Sequence, residues 1–463
     1  MQRSSNLPRK LRSPALYVLV ATLMVGALPQ VLCAQLQPRT ISGKDRDRGF
    51  QMLEIIQEGI EEYYYDRTFR GIDLKQRFKL AKERVKKAST NGEVFSIIAG
   101  LLTDFDDSHL YFIPPNRVSR VEYGWQIQLV GDRCFVVFVK PGSDAAQKGL
   151  KVGDEIWSID GYAPTRENLW KIKYSYYTLK PRAAVTLTVL DPDKKEREMV
   201  TVSKFTSIKE YYDAKKKKEP DPSPFHVVRD ELFIWKMRSF SISDGAIDEA
   251  MKRAMPFKSM VLDLRDNSGG YEKALLRLLG YFFNHDVKLG DIQRRKGGRP
   301  LVAKPRGSDK FFPGKLIVLV DSNSASAAEM FARIVQLEKR GIVIGDRSSG
   351  MVMRSILHGE STFRGTYDFA TYSFFAVSIT DADITMADGK SLEHAGVEPD
   401  QVLLPTGSDL TAARDPVLSR AAEILGVKIG PQQAGTFFRP IEKPEDDDED
   451  KNADDDPDKK KDG

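Results

Sequence analysis

A chain of 463 residues with 41% hydrophobic side chains has the material for two or three domains with apolar cores, which excludes a wholly disordered protein. Lysine and arginine exceed the acids by only five, and part of that excess lies in runs such as KKKK at 215–218, so no nucleic-acid partner is expected.

The N-terminus carries Arg3, Lys10 and Arg12, then an apolar stretch from Ala15 to about Leu28, then Pro29 and a polar start after Gln35. This pattern reads as a signal peptide over 1–34, cut near Cys33 or Ala34, and so as an exported protein, periplasmic or secreted. An uncleaved anchor is the alternative, disfavoured because the apolar run is shorter than about 18 residues. Lipid attachment at Cys33 is disfavoured by Leu32, where a small residue is expected. Cleavage leaves Cys134 as the sole cysteine, which excludes a disulfide framework.

Residues 48–118 form the next segment, helical to about 104. Val94, Ile97, Ile98, Leu101 and Leu102 mark one helical face, which ends at TDFDDSH and leaves Ser108 and His109 just past the helix. From 119 to 205 short strands and glycines take over: FVVFV at 135–139, PGSDAAQKGLKVGDEIWSIDG at 141–161 and VTLTVL at 185–190. Gly149 to Gly161 resembles the GLKVGD and Ile-x-x-Ile-Asp-Gly hallmark of a PDZ domain, with YGWQI at 123–127 a looser match to its carboxylate-binding loop. The resemblance implies that Tyr123, Gly124, Trp125, Gln126 and Ile127 receive an extended peptide added to a sheet edge. A β domain serving only as a spacer is the alternative. Residues 206–229 read as a charged linker. Strands and helices then alternate over 230–430, with strands at 232–237, 260–264, 316–320 and 342–344 and helices near 245–254, 272–283 and after Ser324. The alternation predicts an α/β domain with a covered, largely parallel sheet. Residues 442–463, almost free of apolar side chains, read as a disordered charged tail.

Two turns could carry chemistry. LIVLV, then DSN, then a helix face of Ala327, Met330, Phe331, Ile334 and Val335 places Ser326 at a strand-to-helix turn, beside amide donors and the positive helix end. Ser324 and Ser326 serving only as helix caps is the competing reading. In VLDLRDNSGG, Gly269 and Gly270 follow a buried strand and permit a turn whose amides face a ligand, as an oxyanion hole requires. A serine nucleophile needs a base. The histidines are His109, His226, His285, His358 and His394, and no spacing selects one. They form no HExxH or Cys/His cluster, so neither a metal nor another cofactor is expected.

DSH, the PDZ-like stretch, DLRDNSGG, SNSASAAE, IGDRSSG and LEHAGVEPD, in that order, resemble the C-terminal-processing and tricorn-like (tail-specific) family of serine peptidases. The resemblance implies a crotonase/ClpP-like α/β catalytic domain, with Ser326, three residues before Glu329, as nucleophile. In the processing branch a lysine follows the nucleophile by 25 residues. Met351 stands there and cannot accept a proton. The tricorn-like branch instead uses a Ser-His pair before the PDZ module and a later glutamate, which Ser108, His109 and Glu393 match. That implies a tetrad with His109 as base, Ser108 and Glu393 orienting it, and amides of Ala327 and the Gly269/Gly270 turn holding the oxyanion. His394 is a rival base. The expected function is an exported endopeptidase acting on polypeptides, C-terminal tails among them. The alternatives are a non-catalytic peptide- or lipid-binding protein on the same fold, or a latent enzyme opened by peptide binding.

Overall fold

The computed structural model describes residues 41–115, 119–191, 195–207, 224–364 and 371–438, with the side chains of 360–374 left aside. The expected signal peptide with Cys33, most of the expected linker and the charged tail lie outside these residues. Among the described residues no helix is long and apolar enough to cross a membrane.

Three capped helices open the chain. Helix α1 (Gly43–Tyr63) starts at Ser42, α2 (Leu74–Lys87) at Asp73 and α3 (Asn91–Thr103) at Thr90, each cap side chain accepting an amide from the first turn. Their apolar faces, including Ile56, Ile60, Phe78, Val85, Ile98 and Leu102, close one core with Phe112 of strand β1 (Tyr111–Ile113). This segment is therefore more than helical. Strand β1 pairs antiparallel with a distant strand, Tyr111 opposite Ser378 and Ile113 opposite Ala376, so the loop at 104–110 is held at both ends.

Strand β2 (Ser119–Glu122) leads into β3 (Trp125–Val130), β4 (Arg133–Val139), a short α4 (Asp144–Gln147), β5 (Glu155–Ile159), α5 (Leu169–Tyr174), β6 (Ala184–Leu190) and β7 (Glu196–Val202). β3 to β7 form an antiparallel sheet in chain order, which leaves β3 at an edge. Strand β8 (Lys204–Ser207) returns to pair with β2. The predicted linker is shorter than its span, because β8 runs into its start and β9 (Phe225–Val228) occupies its end.

Strand β9 pairs antiparallel with β10 (Leu232–Lys236), after which the sheet is parallel: β10, β11 (Ser259–Asp263), β14 (Lys315–Val320), β15 (Ile342–Gly345) and β18 (Gln401–Val402). All five residues of β10 and of β11 are buried, the pattern of strands covered on both faces. One face packs on α6 (Asp244–Ala254), α7 (Glu272–Leu279) and α8 (Ala327–Leu337). The other packs on α10 (Pro416–Ile424) and α11 (Pro431–Ala434), after the short α9 (Gly407–Thr411). Helix α7 ends at Leu279, with Gly280 as its C-cap residue, short of the expected 283. The alternation did not anticipate a second sheet, in which β17 (Thr371–Met386) pairs with β1, with β12 (Val287–Arg294) and with β16 (Met353–Arg364), and β13 (Gly298–Ala303) pairs with β12.

Candidate active site

Residues 321–326 join β14 to α8, and the turn is wired from inside. Asp321 Oδ1 accepts from the amides of Asp266 at 2.9 Å and Asn323 at 3.0 Å. Ser324 is buried; its hydroxyl donates to Leu264 O at 2.8 Å and accepts from the Asp321 amide at 2.9 Å. Ser324 is thus a turn residue, while Ser326 is half-buried with φ 55° and ψ −118°. A helix N-cap sits in the extended region. A positive φ outside glycine is strained and persists only where its surroundings enforce it.

Two contacts enforce it here. Glu329, fully buried on α8, accepts from the Ser326 amide at 2.9 Å. Behind the turn lies Gly269 at φ 90°; a Cβ there would stand 2.6 Å from Ser326 Cβ and 2.8 Å from Ala325 O. The Gly269 amide donates to Asn267 Oδ1 at 2.9 Å, so it is not free for a ligand, contrary to the simplest reading of the Gly pair. Among the described residues no protein acceptor takes the amides of Gly270 or Ala327. Ala327 is the first residue of α8, where an amide has no intrahelical partner.

The predicted base lies in the loop between α3 and β1. Ser108 Oγ donates to Glu393 Oε2 at 2.9 Å and lies 2.8 Å from His109 Nδ1. A hydroxyl has one proton, and the carboxylate can only accept. Nδ1 must therefore carry hydrogen and donate to Ser108, which leaves the Nε2 lone pair of neutral His109 available to accept a proton. Glu393 also accepts from the amides of Ser108 at 3.0 Å and Val352 at 2.8 Å. Burial pushes the His109 imidazole below its usual value, while the Glu393 and Asp107 carboxylates pull it up. His394, the rival base, is exposed and held by Asp106 O, 3.1 Å from its Nε2. A carbonyl only accepts, so Nε2 is the donor in that contact and the ring's acceptor nitrogen would be Nδ1.

Two side chains to which sequence reasoning gave no role hold these parts. Asp107 is buried and accepts from Tyr64 Oη at 2.9 Å, Thr380 Oγ1 at 2.7 Å and the His109 amide at 3.0 Å. It fixes the base loop to α1 and β17. Glu329 accepts, besides Ser326, from Ser348 Oγ at 2.6 Å and from the amides of Gly350 at 2.7 Å and Met351 at 2.9 Å. Burial pushes its carboxyl up to about 7 against those four donors. Consecutive amides of one loop thus reach both centres: Met351 donates to the carboxylate that holds Ser326, and Val352 to the one that holds Ser108. At position 351 it is the backbone amide that reaches Glu329. The only signal for either acid was its place in a motif, Asp107 in DSH and Glu329 in SNSASAAE.

Tyr123, Trp125, Gln126 and Ile127 line a groove of about 510 Å³ between β3 and the region of α5, and Asp321 and Asn323 of the Ser326 turn lie on its wall. Gly124 is not on the lining. Its carbonyl accepts from the Lys140 amide at 2.8 Å.

Comparison with known proteins agrees with this architecture. The sequence profile of Peptidase family S41 matches residues 234–403. The chain is 22% identical to a chloroplastic C-terminal processing peptidase of Tetradesmus obliquus, over 75% of each chain. It is likewise 22% identical to a carboxyl-terminal-processing protease of a Picosynechococcus strain, over 74% of this chain and 80% of that one. Among solved structures, mature CPAF superposes with a TM-score of 0.61 at 13% identity, over 80% of this chain and 95% of that one, a likeness of fold.

Proposed function

The chain carries a serine peptidase domain of family S41, and from that premise we propose that Ser326 is its nucleophile and His109 its base, with Ser108 and Glu393 orienting the base as in the tricorn-like branch. The observation that carries this reading is the Ser108 bridge, which accepts from Nδ1–H of His109 and donates its own hydroxyl hydrogen bond to Glu393. On this reading His109 Nε2 accepts the Ser326 proton as Oγ attacks the substrate carbonyl. The imidazolium then gives that proton to the leaving amine, and the same base activates water against the acyl-enzyme. The free amides of Gly270 and Ala327 receive the oxyanion, each donor of this kind being worth about 3 kcal/mol of barrier. Glu393 stabilises the imidazolium across Ser108.

The reading extends to substrate and place. The substrates are polypeptides whose tails add to the edge of β3, the PDZ-like groove, with the terminal carboxylate at the Tyr123–Gly124 turn. The N-terminal pattern supports export to the periplasm or beyond.

The test is covalent labelling of the full chain with a serine-directed phosphonate. Label should appear on Ser326, vanish in Ser326→Ala, and form at least about 100-fold more slowly in His109→Ala, the usual weight of a general base. Folded protein that takes no label at any pH would favour the non-catalytic binding alternative.

A further inference from the structure

An edge strand presents a row of unpaired carbonyls and amides, and in β3 part of that row is already engaged. The Gly124 carbonyl pairs with the Lys140 amide of the β4 side. Backbone groups alternate along a strand, so those of Trp125, Ile127 and Leu129 point to the open edge. Two of those carbonyls are occupied by side chains. Ile127 O accepts from Lys173 Nζ of α5 at 3.0 Å, and Leu129 O accepts from Ser322 Oγ at 2.5 Å. Between them Gln128 Nε2 donates to Asp321 Oδ2 at 2.7 Å. Asp321 and Ser322 belong to the turn that ends at Ser326. The donors stand where the amides of an added strand would stand.

We propose that Ser322 latches the open edge of β3 to the nucleophile turn, so that a bound peptide reaching Leu129 must displace it while a shorter one need not. This rests on the groove being the peptide site. In an antiparallel pair, outward-facing groups meet every second residue of the ligand. With the terminal carboxylate at the Tyr123–Gly124 turn, the last residue lies opposite Trp125, the third from the end opposite Ile127 and the fifth opposite Leu129. A four-residue tail therefore competes only with Lys173. A tail of five residues or more competes with Ser322 as well, and its seating is linked to the turn that carries the nucleophile. Linkage is reciprocal, so whatever holds Ser322 on Leu129 weakens long ligands and leaves short ones untouched.

The test measures binding of two N-terminally labelled alanine peptides ending in a free-carboxylate valine, one of four residues and one of eight. The full chain carries Ser326→Ala to prevent cleavage. Adding Ser322→Ala should tighten the eight-residue peptide by about two- to tenfold, the weight of one net hydrogen bond, and leave the four-residue peptide unchanged. Ser322→Thr, which keeps the hydroxyl, should restore the weaker binding. Both peptides binding with equal response to Ser322→Ala would overturn the latch while leaving the groove reading in place. Neither peptide binding would overturn both.

Discussion

His109 is poised by opposing influences: burial disfavours its cation, and the nearby carboxylates favour it. With burial ahead, the neutral base persists to lower pH than in a solvated histidine, and hydrolysis should rise with pH through a midpoint below about 6.5. Glu393→Gln removes the larger of the two carboxylate influences. The midpoint in kcat/KM should then move further down while the plateau falls at least about tenfold, because the imidazolium loses its counter-charge. Glu329 titrates in the opposite sense. Its carboxyl is raised to about 7 in the fold, so between the ordinary carboxylate value and 7 the folded protein holds a proton that the unfolded chain has released. That contributes stability present at low pH and lost as pH rises towards 7. His109, depressed in the fold, contributes stability lost as pH falls. In Glu329→Gln the decline on the way to pH 7 should disappear, as read from urea midpoints between pH 4.5 and 8, although the midpoints will be lower throughout because an amide cannot accept from four donors. Ser108, His109 and Glu393 were readable only through motif order. Ser108 and Glu393 are 285 residues apart, and spacing says nothing about geometry at that range. Asp107 and Glu329 stood in the motifs without a role, because burial and converging donors, three on Asp107 and four on Glu329, are properties of the folded chain.

At the level of elements, runs such as LIVLV and MVLDL announced the parallel strands, since strands covered on both faces are apolar throughout. The second sheet was silent. Strand β12 carries Gly290 and three charged residues, and it shifts register between Lys288 and Gly290, so neither alternation nor an apolar run survives in its sequence. The Gly pair was legible as a turn, but not the division of labour within it. Gly269 supplies room and φ, and Gly270 keeps the free amide. Gly269→Ala would drive a methyl group into Ser326 Cβ at a φ that side chains avoid. It should slow phosphonate labelling at least about 100-fold while far-UV circular dichroism stays native.

Over the whole molecule, the β3 sheet is bolted to both loops of the candidate site. Gln128 holds Asp321, while the Gly131 amide at 2.8 Å and Arg166 at 2.7 Å both hold Asp346, two residues before Ser348. Arg166→Ala leaves the Asp346 carboxylate largely buried without its counter-ion. The expected loss is about 2 kcal/mol, below the figure for full burial because both side chains retain some water. Hydrogen exchange at the Gly350, Met351 and Val352 amides should quicken in that variant, which would show the bolt acting on the loop between the two carboxylates.

If His109 is the base, the pairing of β1 with β17 also sets when activity can begin. The base loop emerges early from the ribosome, but β1 has no partner until residues 376–378 are made, and Glu393 follows later still. Contacts of such long range form late in folding. On the proposed roles of Ser326 and His109, a half-made or truncated chain lacks the contacts that order the histidine loop, so the protein should pass through synthesis without attacking its neighbours or itself.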